Sequence, residues 1–243
     1  MRLTEYADMH CHILPGVDDG SDSMEESLAM LKRLYAQGVR DVILTPHFAA
    51  GGKNPGREKL EDAFAGLKKV CGEILQDMRL YMGNELLYQD GTTECLKNGE
   101  AYTMAGSRYV LVEFGVRMAY NRIERAVAGL IAKGYRPIIA HMERYESLHK
   151  QEERIKDLIK AGAYLQMNAD SVTGGVLDKR ASYCRKLVSR GYIHFISTDA
   201  HDLRERPPEL HQAMERLSKI CDERRLGELF GGNARKVIDN QYI

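Results

Sequence analysis

The chain has 243 residues, 44% of them hydrophobic, and its 35 Lys and Arg are balanced by 35 Asp and Glu. This is enough to bury a sizeable core in one large or two small domains, while the neutral balance excludes a basic nucleic-acid surface or an acidic tail. No apolar run approaches the ~20 residues of a membrane span, Met1-Arg2-Leu3-Thr4-Glu5 lacks a signal-peptide core, and five widely spaced cysteines read as reduced thiols, which together place the chain in the cytoplasm.

In chain order, a short apolar run from Tyr6 to Met9 reads as a strand and delivers Asp8-Met9-His10-Cys11-His12 at its end. Alternation along a strand aims His10 and His12 at one point and Cys11 away from it. Residues 13–20 are a Pro- and Gly-containing loop. Ser23 and Glu26 then form a capping box for a helix with Met24, Leu28, Leu31 and Tyr35 on its apolar face, stopped by Gly38. A strand over 39–44 ends at Thr45-Pro46-His47. A Gly-rich loop over 49–56 precedes a helix over 58–77, and a strand over 80–82 leads to Gly83-Asn84-Glu85. Residues 88–107 read as less regular, with a small helix or hairpin. A strand over 109–112 ends at Glu113, one over 137–140 at His141, one over 164–167 at Asn168, and one over 194–197 at Thr198-Asp199-Ala200-His201. Helices over 120–133, 151–161 and 177–190 lie between them, and the tail carries two more, over 208–221 and 223–229.

One unit recurs after Gly38, Gly134, Gly162 and Gly191: a helix ends at Gly, an apolar strand follows, and a polar residue stands where the strand stops. Such alternation implies a parallel sheet. A closed barrel would bring the strand ends to one face, where such enzymes place their chemistry. About seven strands can be counted, which points to an incomplete or distorted barrel in a single domain over 1–243, with no linker.

The strand-end set is His10, His12, His47, Glu85, Glu113, His141, Asp199 and His201, with Asp19 in the first loop. Polar residues are common where strands stop, but five of eight histidines at such positions are not; His149, His194 and His211 read as ordinary. A catalytic zinc needs about three protein ligands, so nine mixed N/O donors suit two or three ions with a bridging carboxylate. Imidazole and carboxylate without thiolate suit Mn, Fe or Zn, and clustered divalent ions favour hydrolysis by making hydroxide from water and clamping a phosphoryl group.

Asp8-x-His10-x-His12, Thr45-Pro46-His47 and Asp199-Ala200-His201 resemble the signature of the PHP (polymerase and histidinol phosphatase) superfamily. Asp18-Asp19-Gly20, Gly83-Asn84-Glu85, Val112-Glu113-Phe114, His141-Met142-Glu143-Arg144-Tyr145 and Arg206-Pro207-Pro208 are similar, in order and spacing, to the manganese-dependent protein-tyrosine phosphatases of bacterial capsule and exopolysaccharide operons. The likeness spans Asp8 to the Gly232-Asn233-Ala234 region. It implies a distorted (β/α)7 barrel of the PHP type holding three divalent ions, manganese first and iron or zinc as alternatives. His10, His12, Glu85 and Asp199 would hold the first ion; Glu85, Glu113 and His141 the second; Asp19, His47 and His201 the third. Arg144 and Arg206 would grip the phosphoryl oxygens, with Asp199 and His201 counted among the catalytic residues. The implied partner is the phosphorylated, Tyr-rich tail of a capsule tyrosine kinase, received at an open mouth bordered by the Gly51-Gly52 and Gly174-Gly175 loops, with no nucleic acid and no membrane insertion.

A histidinol-phosphate or other small-molecule phosphatase on the same site is the nearest rival; Glu143-Arg144-Tyr145 and Arg206-Pro207-Pro208 argue against it by resemblance. An amidohydrolase would commonly place a bridging modified Lys at a strand end, where this chain has Glu85 and Glu113. A PHP exonuclease module does not fit a neutral chain without a polymerase. A non-catalytic partner of a capsule kinase would not need so complete a ligand set. Cys184 and Arg190 match the C-x5-R spacing of thiol phosphatases, but the residues between them form a helical pattern without Gly, so a phosphate-cradling loop is not expected.

Overall fold

The computed structural model describes residues 5–175 and 177–243; the leader-free reading of residues 1–4 lies outside them. Nine strands are seen among the described residues: β1 (Tyr6–Cys11), β2 (Val39–Leu44), β3 (His47–Ala49), β4 (Arg79–Met82), β5 (Glu85–Leu87), β6 (Tyr109–Glu113), β7 (Arg136–Ile139), β8 (Tyr164–Asn168) and β9 (Phe195–Ser197). They form two sheets, ordered β1-β2-β4 and β3-β5-β6-β7-β8-β9, in which every pairing is parallel. The fold is thus mixed α/β with parallel sheets.

The strand count exceeds the sequence expectation because two strands break. Pro46 has no N–H for the ladder, so β2 stops at Leu44 and the chain re-enters at His47 as β3. The neighbouring strand breaks in step. The Glu85 N–H bonds to the carbonyls of Thr45 (3.3 Å) and Pro46 (3.2 Å), and Asn84 bridges the gap by donating to the Pro46 carbonyl at 2.8 Å while accepting from the Tyr102 N–H at 2.7 Å. Both breaks tilt the following residues, His47 and Glu85, towards the same centre. At the far end, the Asp199 N–H donates to the His10 carbonyl (2.8 Å) and the His12 N–H to the Ala200 carbonyl (2.8 Å), which stitches the exit of β9 to β1.

The helices are α1 (Met24–Ala36), α2 (Arg57–Ile74), α3 (Thr92–Asn98), α4 (Tyr120–Ala132), α5 (Glu152–Lys160), α6 (Lys179–Ser189), α7 (His211–Leu217), α8 (Glu223–Gly227) and α9 (Asn233–Ile238). Ser23 caps α1 by accepting from the Glu26 N–H at 3.2 Å, while Glu26 reaches back to the N–H of Asp22 rather than of Ser23. Gly38, Gly134, Gly162 and Gly191 all take positive φ after their helices, a conformation open to Gly without a Cβ penalty. The irregular stretch contains α3 followed by a 3₁₀ turn (Met104–Gly106).

The tail departs most from expectation. The helix over 208–221 shortens to α7 because the Gln37 side chain takes the N–H groups of Leu210 (2.7 Å) and His211 (3.0 Å) before the helix begins. The last segment runs on past 229 through a π turn (Glu228–Gly232) into α9. Gly231 there packs against β1 so closely that a Cβ would lie 3.0 Å from the Glu5 carbonyl oxygen.

The strands are apolar on both faces, as parallel strands covered on both sides must be. Val42, Leu44, Val110, Val112, Ile139, Leu165 and Ile196 pack with the helices, whereas Met9, Ile43, Tyr109, Leu111, Ile138 and Phe195 meet in a second, smaller cluster. Cys11 is fully buried in the larger one. Among the described residues no helix is long and apolar enough to cross a membrane.

Candidate metal centre

Each donor is placed by a short element that stops at the same face. β1 and the residue just past it present His10 and His12, whose Nε2 atoms lie 3.4 Å apart. Glu85, the first residue after the Gly83-Asn84 break, is the hub: its carboxylate oxygens lie 3.3 Å from His10 Nε2, 3.3 Å from His12 Nε2, 3.1 Å from His47 Nδ1 and 2.7 Å from His141 Nε2. Asp199 Oδ1 approaches His10 Nε2 (3.4 Å) and His12 Nε2 (3.5 Å). Glu113 stands 3.6 Å from both His47 and His141, and Asp19 lies 3.2 Å from His47 Nε2 and 3.6 Å from His201 Nε2. The structure therefore brings together all nine donors picked out in the sequence.

Their grouping differs in part from the one implied by resemblance. Donor atoms within 4.8 Å of one another form three sets: His10, His12, Glu85 and Asp199; His12, Asp19, His47 and His201; and His47, Glu85 and Glu113. His12 thus joins the third-ion group as well as the first. His47 stands beside Glu85 and Glu113 where His141 was expected, although His141 remains against Glu85.

Residues not singled out as functional hold these donors. Asp18 accepts from His12 Nδ1 at 2.7 Å, and also from the N–H groups of His47 and Gly20 at 3.1 Å. Gly20 must lack a side chain, because a Cβ there would sit 1.9 Å from the His12 carbonyl oxygen. On β8, Gln166 and Asn168 face the centre. Gln166 Oε1 pairs with His10 Nδ1 (3.2 Å) and accepts from the His141 N–H (2.6 Å); its amide donates to Asn168 Oδ1 (2.9 Å), and Asn168 donates to Asp199 Oδ2 (2.7 Å). Asp8 braces β9 by accepting from the Thr198 N–H at 3.0 Å. The signal for these three was their spacing, two residues from a donor or from one another on one strand. Tyr145 accepts from the Phe114 N–H at 3.1 Å beside His141.

Arg144 and Arg206 reach the same atom, Asp199 Oδ2, at 2.9 and 2.7 Å. Arg144 ends a 3₁₀ turn (Met142–Arg144) that begins at His141, and the turn holding Arg206 is tied to the site by its carbonyl accepting from the His201 N–H at 2.9 Å. His141 (φ +30°) and Asp199 (φ +54°) both sit in the left-handed region, which costs a residue with a Cβ and is typical of functional sites.

The electrostatics are those of a cage. Burial works against a charge on His12, yet its bond to Asp18 and the neighbouring carboxylates of Asp199 and Glu85 hold its pKa well above the usual value; His10 is raised in the same way by Glu85 and Asp199. Burial likewise opposes ionisation of Glu85 and Asp199, but the adjacent imidazoles hold both carboxyls well below their usual range. Burial, then the charge of Glu85, pushes Glu113 up to about 7. Burial, His12 and Arg206 lower His201 to about 4, which leaves it neutral. Among the described residues, Asp199 Oδ1 and His201 Nε2 are two of the buried atoms with no hydrogen-bond partner. Buried polar atoms are rarely left so, and both face the other donors. An oxygen and a neutral nitrogen, among imidazoles and carboxylates and without thiolate, fit divalent transition metals.

A family model for capsular polysaccharide synthesis, CpsB/CapC, matches residues 6–239. The chain belongs to the CpsB/CapC family. It is 34% identical to the tyrosine-protein phosphatase CpsB of Streptococcus pneumoniae, over 97% of this chain and 99% of that protein. Among solved structures it is similar to that reported for YwqE from Bacillus subtilis and CpsB from Streptococcus pneumoniae, described as unique metal-dependent tyrosine phosphatases, with a TM-score of 0.88 and 28% identity over 98% of this chain and 96% of that one. The histidinol phosphate phosphatase of Lactococcus lactis shares the fold alone, with a TM-score of 0.62 and 14% identity over 94% of this chain and 97% of that one. The Cys184 reading falls on a CpsB/CapC helix, α6, where the thiol is buried and burial pushes its pKa up to about 12, so it is neither a thiolate nor accessible.

Proposed function

We propose that the chain is a metal-dependent phosphoric monoester hydrolase that removes phosphate from protein phosphotyrosine in capsule or exopolysaccharide synthesis. The observation that carries this reading is the convergence of imidazole and carboxylate donors on Glu85, with two guanidinium groups at the edge. Family membership and the names of the relatives support the same activity.

We read the chain as one domain. If β2 with β3 and β4 with β5 are each taken as one bent stave, there are seven staves, and the bonds from β9 to β1 support closure into a distorted (β/α)7 barrel. Three ions, manganese first, would be held by His10, His12, Glu85 and Asp199, by Glu85, Glu113 and His141, and by Asp19, His47 and His201. When bound, such ions acidify water and neutralise phosphoryl charge. Asp199 Oδ2 is fixed by Arg144, Arg206 and Asn168, so Oδ1 is aimed at the centre. His201 donates from Nδ1 to the Asp199 carbonyl at 2.9 Å, which leaves Nε2 as a bare donor. Arg144 and Arg206, each about a third exposed, have N–H groups left to fork onto phosphoryl oxygens. Phenolate, with a pKa of about 10, leaves without a strong general acid. A cytoplasmic phosphatase of this kind would act on the Tyr-rich tail of a bacterial tyrosine kinase.

The test is phosphate release by chelator-stripped, metal-restored protein from a phosphotyrosine peptide and from histidinol phosphate, with Cys184→Ser alongside. Manganese-dependent release favouring the peptide, retained in the thiol variant, is expected. Preference for histidinol phosphate would overturn the substrate, and no release under any metal would overturn the activity.

A further inference from the structure

A cleft of about 390 Å³ opens beside the metal centre, with Tyr88, Phe114 and Met118 on its walls, Arg122 and Arg125 along one rim and Asp90 on the lining. It is built on the strand ends that carry the donors: Phe114 directly follows Glu113, and the Tyr88 N–H donates to the Glu113 carbonyl at 2.9 Å. The Tyr88 and Phe114 rings lie 5.8 Å apart, tilted, so that buried Phe114 backs the half-buried Tyr88. Arg122 and Arg125 project from the first turns of α4 and are exposed. Among the described residues neither makes an ion pair with a carboxylate; Arg125 uses only its Nε, on the Asn121 carbonyl at 3.1 Å. A shallower hollow continues past Met118 and Arg122 to Val116, which is 51% exposed.

On a chain whose charges otherwise balance, this cleft sets two open guanidinium groups against the single carboxylate of Asp90. Exposed guanidinium pairs with carboxylate in a fork, and aromatic and Met surfaces receive the apolar part of a neighbouring side chain. Resting on the phosphotyrosine reading above, we propose that this cleft is a specificity subsite: it holds an acidic residue flanking the phosphotyrosine, paired with Arg122 and Arg125, while its chain packs on Tyr88 and Met118. The protein would then select phosphotyrosines in acidic sequence.

The experiment uses the metal-loaded protein and three phosphotyrosine peptides whose flanking residues are Asp and Glu, the matching Asn and Gln, or Lys. The wild type should show a KM about five- to tenfold lower for the acidic peptide than for the amide peptide, the scale of two exposed charge pairs. Arg122→Gln with Arg125→Gln should bring that ratio close to one. Arg122→Glu with Arg125→Glu should invert the order in favour of the Lys peptide, an outcome that a damaged fold cannot produce. Equal KM values in the wild type, or an acidic preference that survives both double variants, would overturn the subsite and leave the phosphatase intact. No release from any peptide would overturn the phosphatase reading and the subsite with it.

Discussion

The donor cluster has two unlike halves. His10, His12, Glu85 and Asp199 are at most 1% exposed and His141 and His201 4%, whereas the side chains of Asp19, His47 and Glu113 are 66%, 37% and 21% exposed. The inner donors also have outside braces: His10 is held by Gln166, His12 by Asp18, and Asp199 by Asn168, Arg144 and Arg206. Among the described residues Asp19 has no such brace, since its carboxylate meets only His47 and His201. Burial with bracing fixes donor direction before an ion arrives, and this raises affinity; exposure leaves room for water and substrate. On the proposed ligation, the inner half would retain an ion and the outer half would exchange what it holds.

The comparison can be broken by substitution. Asp199→Ala should give the largest effect: a loss of at least about 10²-fold in manganese-dependent turnover, with the most tightly held ion lost in metal analysis. Retained turnover with metal bound would sink the assignment. Gln166→Leu and Asn168→Ala touch only the bracing and should weaken the tightest ion about 10- to 100-fold in calorimetric titration, while the weaker ions change little. Asp19→Asn should do the reverse, weakening only the loosest ion; an equal loss across all ions would erase the distinction between the halves.

The smallest effect lies away from the cluster. Burial, then the charge of Arg225, lowers His194 to about 4 from an unfolded value near 6.5. Between those values the unfolded chain binds a proton that the folded chain refuses, so stability falls as pH falls through that window. The slope is at most about 1.4 kcal/mol per pH unit. His194→Asn, which can still accept the Leu165 N–H now bonded to His194 Nδ1 at 3.1 Å, should flatten that part of the curve in denaturant melts at pH 6.5 and 4.5.

Much of this was legible in the sequence because one physical unit repeats. Helix, Gly, apolar strand and polar stop mark where a parallel strand leaves the core, so the ends at His141, Asn168 and Asp199 could be read directly. The division of the strands could not. Pro46 looked like a strand terminus, and nothing local to it says that Asn84 on the neighbouring strand breaks in step to satisfy its carbonyl. Gln166 was hidden inside an apolar run, where only its spacing from Asn168 marks it. The sequence pattern ends the tail helix at 229; the close approach to β1 that requires Gly231 involves residues far away in the chain.

The stitching of β9 to β1 has a consequence for how the protein comes into being. The bond from Thr198 to Asp8 spans 190 residues, and the His10 and Asp199 backbones join across a similar span. Contacts this distant form late, after the loop-closure entropy between them has been overcome. During synthesis, His10 and His12 emerge before Asp199 and lack it until the whole intervening stretch has followed. On the proposed ligation, high-affinity metal uptake would therefore report that the β1 and β9 ends have met.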